Sequence, residues 1–156
     1  LRDLLLNRAP LFWIEHDGYA IAILGLSTIF ALFPITGRVP PSVLLIADAL
    51  GLGLFSVAGA GYALEGGFSL FIAALMGVIT GTFGGVLRDI LCNELPSLFQ
   101  QTPFYATCAF VGCYLYFLLT YLSVSEEVAV WVTTVGITAF RLAAVRWKWV
   151  LPVSRH

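Results

Sequence analysis

The chain has 156 residues, of which 60% are hydrophobic and 11% charged, with a formal net charge of −1. Soluble domains carry about 25% charged residues, so this chain has too little polar surface to cover itself in water. An ordinary soluble domain is therefore excluded, and the near-zero charge without a basic run excludes nucleic acid as an expected partner; the composition predicts an all-α polytopic membrane protein.

Taken in order, residues 1–13 read as the back half of a broken helix ended by Pro10, followed by a polar turn at Glu15, His16 and Asp17. Asp17 is a candidate N-cap, and His16 reads as an interfacial loop residue. A first complete span covers about 18–35, enough for a bilayer core that needs about 20 residues. Pro34, Gly37, Arg38, Pro40 and Pro41 form a short loop. A second span, about 42–64, carries Gly51, Gly53, Gly59 and Gly61. Small residues let membrane helices approach closely, so these four are expected to serve helix packing.

Glu65-Gly66-Gly67 is a tight connection into a third span that starts near Phe68 and ends at Pro96. Its second half holds Gly84-Gly85 and then Arg88-Asp89. Glycine pairs are frequent helix-break points. Charges beside such a break are costly in a membrane unless they pair or line a wet cavity. A break there would free backbone groups, with the Thr80 and Thr82 hydroxyls close by and a half-helix dipole pointing into the gap. A fourth span covers about 104–122, and an acidic loop follows from Ser123 to Glu127. The last span, about 128–147, ends in Arg146-Trp147-Lys148-Trp149, an interfacial anchor. Cys92, Cys108 and Cys113 lie in or beside apolar segments and read as small packing residues, without metal-ligand spacing.

One stretch occurs twice. Leu1-Arg2-Asp3 through Asn7 and Pro10 matches Leu87-Arg88-Asp89 through Asn93 and Pro96 at identical spacing, and Tyr19-Ala20 against Tyr105-Ala106 keeps the register. This is an internal duplication. An odd number of crossings (18–35, 42–64 and 68 onward) separates the copies, so they enter the membrane from opposite sides as an inverted repeat. The sequence opens inside a repeat unit, so an N-terminal helix and a half are expected to precede Leu1.

Arg38, Arg146, Lys148 and Arg155 fall on one side of the membrane, with Arg88 and Arg141 near it, while Glu65, Glu126 and Glu127 fall on the other. The positive-inside rule makes the first side, and the C-terminus, cytoplasmic; Arg8 is an exception to the count. This topology places Asp48 and Arg88 at the same end, where they can pair, and leaves Asp89 as a partner for another cation such as Arg141. Two roles stay open for this cluster: a salt bridge that holds helices together, or the lining of a water-filled path. No nucleotide-binding loop, HExxH pair or Ser/His/Asp set is visible, and the histidines number two, so an enzyme is not expected.

Gly84-Gly85-Val86-Leu87-Arg88-Asp89 with Asn93-Glu94-Leu95-Pro96, the Asp48-Ala49-Leu50-Gly51 start of a small-residue helix, and the three-plus-three duplication resemble the bacterial branch of the trimeric intracellular cation (TRIC) channel superfamily, a branch also catalogued as glycine transporters. The resemblance covers essentially the whole chain. It implies seven spans, as two inverted three-helix repeats plus a seventh helix, in a single transmembrane domain over 1–156. Residues 1–35 would end repeat one, 42–122 would form repeat two, and 128–147 the final helix. It further implies a homotrimer in the bacterial inner membrane with one pore per protomer, kinked second and fifth helices near the pore centre, and conduction of monovalent cations, chiefly potassium. No cofactor or metal is implied; the partners are membrane lipid and monovalent cations. The residues carried onto an ion pathway or substrate site are Asp48, Thr80, Thr82, Gly84, Gly85, Arg88 and Asp89, with Arg2 and Asp3 from the first copy. The competing reading is a secondary transporter of glycine or a similar small zwitterion; a scaffold without flux would not need charged breaks.

Overall fold

The structure is a computed structural model that describes residues 18, 21–25, 28, 40–91, 93 and 104–147. The chain divides into two compact units, Leu1–Pro41 and Ser42–His156. In the first, residues 21–25 are helical and the Thr28 hydroxyl donates to the Leu24 carbonyl at 2.8 Å. Most of the expected 18–35 span, and all of the first motif copy with Arg2 and Asp3, lie outside the described residues.

The second unit holds four described helices: α1 (Pro41–Glu65), α2 (Leu70–Leu91), α3 (Tyr105–Tyr121) and α4 (Glu126–Arg146). Three of them, over Ser42–Glu65, Leu70–Ile90 and Glu126–Arg146, are long and apolar enough to cross a membrane; α3 is apolar and shorter. The described residues contain no strand. The helices alternate in direction. The start of α1, the end of α2, the start of α3 and the end of α4 meet at one end, through Asp48, Arg88, Tyr105 and Arg141. Glu65 and Glu126 share the other end.

The unit is built inside out relative to a soluble domain. Its fully buried positions are mostly small: Ala49, Ala60, Ala63, Ala73, Ala109, Ala129 and Ala144 are completely covered, as are Cys108 and Cys113. Large apolar side chains point outward, Phe55 at 58% exposure and Trp131 at 62%. Lipid tails are as apolar as leucine, so burying bulky side chains offers little, whereas small residues let backbones approach and gain dispersion contacts. The chain is a multi-pass membrane protein on this ground as well as on composition.

Both hairpin turns have a physical cause. After α1, Gly67 adopts φ 78°, the Phe68 amide donates to the Ala63 carbonyl at 3.1 Å, and the Gly67 amide donates to that of Leu64 at 2.9 Å. This paired pattern closes a helix through a left-handed residue, which glycine enters without steric penalty. After α3 the same pattern recurs around Ser123 at φ 58°, with Val124 donating to Leu119 at 3.1 Å and Ser123 to Thr120 at 3.1 Å. Glu126 and Glu127 then fill the first turn of α4, and Arg146 its last, each complementing the helix dipole.

The packing glycines divide. A methyl group at Gly53 would lie 2.8 Å from the Thr134 carbonyl oxygen of α4, one at Gly59 would lie 2.8 Å from the Met76 carbonyl oxygen of α2, and one at Gly61 would lie 3.2 Å from the Tyr116 hydroxyl of α3. Gly51 departs from the expectation: among the described residues a methyl there meets nothing within 4 Å. Its face of α1 is not the one that the other described helices cover.

Candidate functional site

The charged cluster forms where the antiparallel register brings four helix ends together. Asp48 lies two turns into α1, and Arg88 sits in the last turn of α2. Arg88 Nη1 donates to Asp48 Oδ1 at 2.9 Å, the pairing that the topology predicts. The same guanidinium turns its other edge to Asp89, with Nε and Nη2 donating to Oδ1 at 2.9 and 2.8 Å. Arg88 thus bridges two carboxylates. The Asp48 and Asp89 side chains are 13% and 7% exposed, and that of Arg88 is 35% exposed, so the guanidinium is the most solvent-facing member. Asp89, a candidate partner for another cation such as Arg141, also accepts from this arginine.

Tyr105, the first residue of α3, completes the cluster. Its hydroxyl donates to Asp48 Oδ1 at 3.4 Å, and the Arg141 guanidinium carbon lies 4.6 Å over the centre of its ring. Stacking an arginine on an aromatic face is a favourable arrangement where water is scarce. Tyr105 and Arg141 are both buried. Among the described residues the cluster brings together two arginines and two aspartates, in a part of the chain where an unpaired charge is expensive.

Gly85 makes this convergence possible. A methyl group there would lie 2.6 Å from the Tyr105 hydroxyl and 3.4 Å from Asp48 Oδ1. Gly85 is the last of three α2 glycines spaced by four. At Gly81 a methyl would collide with the Ser56 hydroxyl and lie 2.9 Å from the Leu52 carbonyl oxygen; at Gly77 it would lie 2.7 Å from the Ser56 carbonyl oxygen. Residues four apart share a helix face, so Gly77, Gly81 and Gly85 form a groove into which Ser56, Leu52 and Asp48 of α1 settle. This stripe holds Asp48 in reach of Arg88.

Two expectations are corrected. The helix does not break at Gly84-Gly85: α2 is helical without interruption from Leu70 to Leu91. A break in hydrocarbon leaves backbone groups unsatisfied at a cost of several kcal/mol each, which outweighs the roughly 1 kcal/mol per residue by which glycine disfavours a helix. The helix also stops at Leu91, short of Pro96; the Asn93 amide donates to the Ile90 carbonyl at 3.0 Å with φ 56°, a left-handed conformation that asparagine tolerates.

With no break, Thr80 and Thr82 have other partners. Their hydroxyls donate to the Met76 and Val78 carbonyls, each at 2.7 Å, within their own helix. Thr80 packs against Gly59 rather than near the charges. It lies eight residues from Arg88, roughly 12 Å along the axis. Gly84 adjoins the cluster with no described atom within 4 Å of a methyl placed on it. Sequence reasoning left Tyr105 and the Gly77–Gly81–Gly85 spacing out of the site. A signal for each was present: Tyr105 recurs with Tyr19 in the duplicated register, and glycines four apart mark a helix face. Among the described residues no His, Cys, Asp and Glu side chains converge as a metal site would require.

With this geometry in view, comparison with known proteins is informative. The sequence profile of a family described as "Glycine transporter" matches residues 45–121. The UPF0126 inner membrane protein YadS of Escherichia coli K12 is 34% identical over 154 residues, covering 97% of this chain and 74% of YadS. The TRIC trimeric intracellular cation channel orthologue from Rhodobacter sphaeroides is similar in structure, with TM-score 0.83 and 37% identity over 94% of this chain and 75% of that one. A further TRIC cation channel, from work on conductance, has TM-score 0.78 and 35% identity over 99% of this chain and 76% of its own.

Proposed function

This chain belongs to the TRIC channel superfamily, in the branch described as glycine transporters, and on that footing we propose that it is a monovalent cation channel, conducting potassium through one pore per protomer of a homotrimer. Its relatives are named for membrane location, transport or conduction, and it is not an enzyme. The observation that carries the channel reading is the Arg88 bridge between Asp48 and Asp89 inside apolar helices. A helix pair needs no such cluster for cohesion, since small-residue packing already supplies it. Opposed charges of this kind suit a hydrated path: the carboxylates attract a cation, and the arginine keeps it from being trapped.

In this reading Asp48, Gly84, Gly85, Arg88 and Asp89 lie along the path near its cytoplasmic end, Thr80 and Thr82 lie deeper, and Arg2 and Asp3 are the counterparts from the first copy. The protein would sit in the bacterial inner membrane with its C-terminus cytoplasmic, the side where Arg146 closes α4.

A second reading is supported by the same pair. A carboxylate and a guanidinium held 2.9 Å apart match the ammonium and carboxylate of a small zwitterion, so Asp48 and Arg88 are also suited to hold glycine in a carrier. Planar-bilayer recording and labelled-glycine uptake into proteoliposomes, with the same full-length preparation, separate the two. The channel predicts unitary potassium currents without any amino acid present. Saturable glycine uptake with no unitary currents would replace it with the carrier.

A further inference from the structure

Asp48 receives two donors on one atom. Arg88 Nη1 and the Tyr105 hydroxyl both donate to Oδ1, at 2.9 and 3.4 Å. Tyr105 carries no charge, yet three features of the fold fix its hydroxyl at this point. The first is the backbone before it. Phe104, which precedes α3, takes φ 28° and ψ 47° with no side-chain cap hydrogen bond. Residues with a Cβ seldom enter that region, and a fold that holds one there constrains the neighbouring residue closely. The second is the ring. Arg141 covers one face of it, 4.6 Å from its centre, and Tyr105 is buried. Rotation of a tyrosine ring about its long axis leaves the oxygen where it is, so a ring held in place holds its hydroxyl too. The third is Gly85, whose missing side chain leaves the hydroxyl its space: a methyl there would lie 2.6 Å from it.

We propose that Tyr105 is a positioning residue for permeation: its hydroxyl keeps the Asp48 carboxylate from pairing fully with Arg88, so that part of its charge faces a passing cation. The role rests on the channel reading and adds to it a residue from a third helix. Arg88 commits Nε and Nη2 to Asp89 and reaches Asp48 through Nη1. A neutral hydroxyl and a charged guanidinium therefore share one acceptor oxygen. Charge-assisted pairs favour two parallel contacts over one. Without the hydroxyl, the carboxylate would turn further onto Arg88, and its charge would be more fully neutralised there. A fixed charge beside a path raises the local cation concentration, an effect that matters most when the bulk supplies few cations.

Unitary potassium conductance of the full-length protein in planar bilayers, recorded from low to saturating potassium, tests this role. Unitary conductance reports on each open pore and does not depend on how many channels fold. Tyr105→Phe keeps the ring that Arg141 covers and removes the hydroxyl alone. Its conductance at low potassium should fall about threefold, toward the low end of what one hydrogen bond is worth, and should approach the wild type at saturating potassium. Thermal unfolding in detergent should stay close to that of the wild type. Because the hydroxyl acts through the carboxylate, Tyr105→Phe added to Asp48→Asn should lower conductance no further than Asp48→Asn does. Gly85→Ala, whose methyl displaces the hydroxyl, should also reduce conductance at low potassium. Wild-type conductance at low potassium in Tyr105→Phe or Gly85→Ala, or additive losses in the double variant, overturns the role of Tyr105 while the channel reading stands. Absence of unitary currents from the wild type, or wild-type conductance in Asp48→Asn, overturns the cluster as a cation path and the role of Tyr105 with it.

Discussion

Arg88 is held by three hydrogen bonds to two carboxylates, so removing it and removing one of its partners are different experiments. Arg88→Ala leaves Asp48 and Asp89 without their shared cation, and breaking a buried pair from one side costs about 3–5 kcal/mol. Loss of assembled protein is the expected outcome, which says little about a path. Asp48→Asn is the sharper probe. Arg88 keeps both bonds to Asp89, and the amide oxygen still accepts from the Tyr105 hydroxyl, so the expected stability loss is about 1 kcal/mol. Purified yield should stay near that of the wild type while unitary conductance or cation selectivity changes. Normal currents from Asp48→Asn would assign the pair to helix cohesion alone. The turns offer a second residue-scale test. Ser123 occupies a left-handed position that Gly67 fills in the equivalent turn. Ser123→Gly should stabilise the protein by about 1 kcal/mol and Gly67→Ala should destabilise it by a similar amount, measured by thermal unfolding in detergent.

At the scale of helices, the α2 glycines separate packing from any role in bending. Gly81 faces Ser56 and the Leu52 carbonyl, with no space for a methyl group. Gly81→Ala must push α1 away, and overpacking of this kind costs about 1–3 kcal/mol. It should also shift Asp48 relative to Arg88 and so disturb function together with stability. Gly84, one residue before Gly85, has no described neighbour to meet. Gly84→Ala should be neutral or stabilise by up to about 1 kcal/mol through helix propensity. If a bend at Gly84 is needed during opening, open probability should fall in that stable variant; unchanged gating would remove Gly84 from the mechanism. Hydropathy located these helices well. The spans expected at 42–64, 104–122 and 128–147 lie within two residues at each end of α1, α3 and α4. Hydropathy reports on lipid, which every helix meets. It does not report which face meets which neighbour, so the Gly77–Gly81–Gly85 groove and the place of Tyr105 came into view only with the register. The glycine pair misled for a related reason: in water it would suggest a break, whereas in hydrocarbon the backbone keeps its hydrogen bonds.

For the whole molecule, the proposal of one pore per protomer makes a prediction that a single pore on the trimer axis does not. The described contacts of the charged cluster, among Asp48, Arg88, Asp89, Tyr105 and Arg141, lie within one chain. A path that uses the cluster is then set by the protomer's own sequence. Co-expression of wild-type and Asp48→Asn chains carrying different affinity tags, with purification on both tags, yields mixed trimers. Independent pores should give two distinct unitary levels in one bilayer, at the values of the parent homotrimers and in fixed proportion for each insertion. A shared axial pore should give one intermediate level, because all copies would line the same path. The wild-type chain alone should pass the same unitary current whether its neighbours are wild type or variant. A neighbour-dependent current would place the conducting path between protomers and remove the Asp48–Arg88 cluster from its lining.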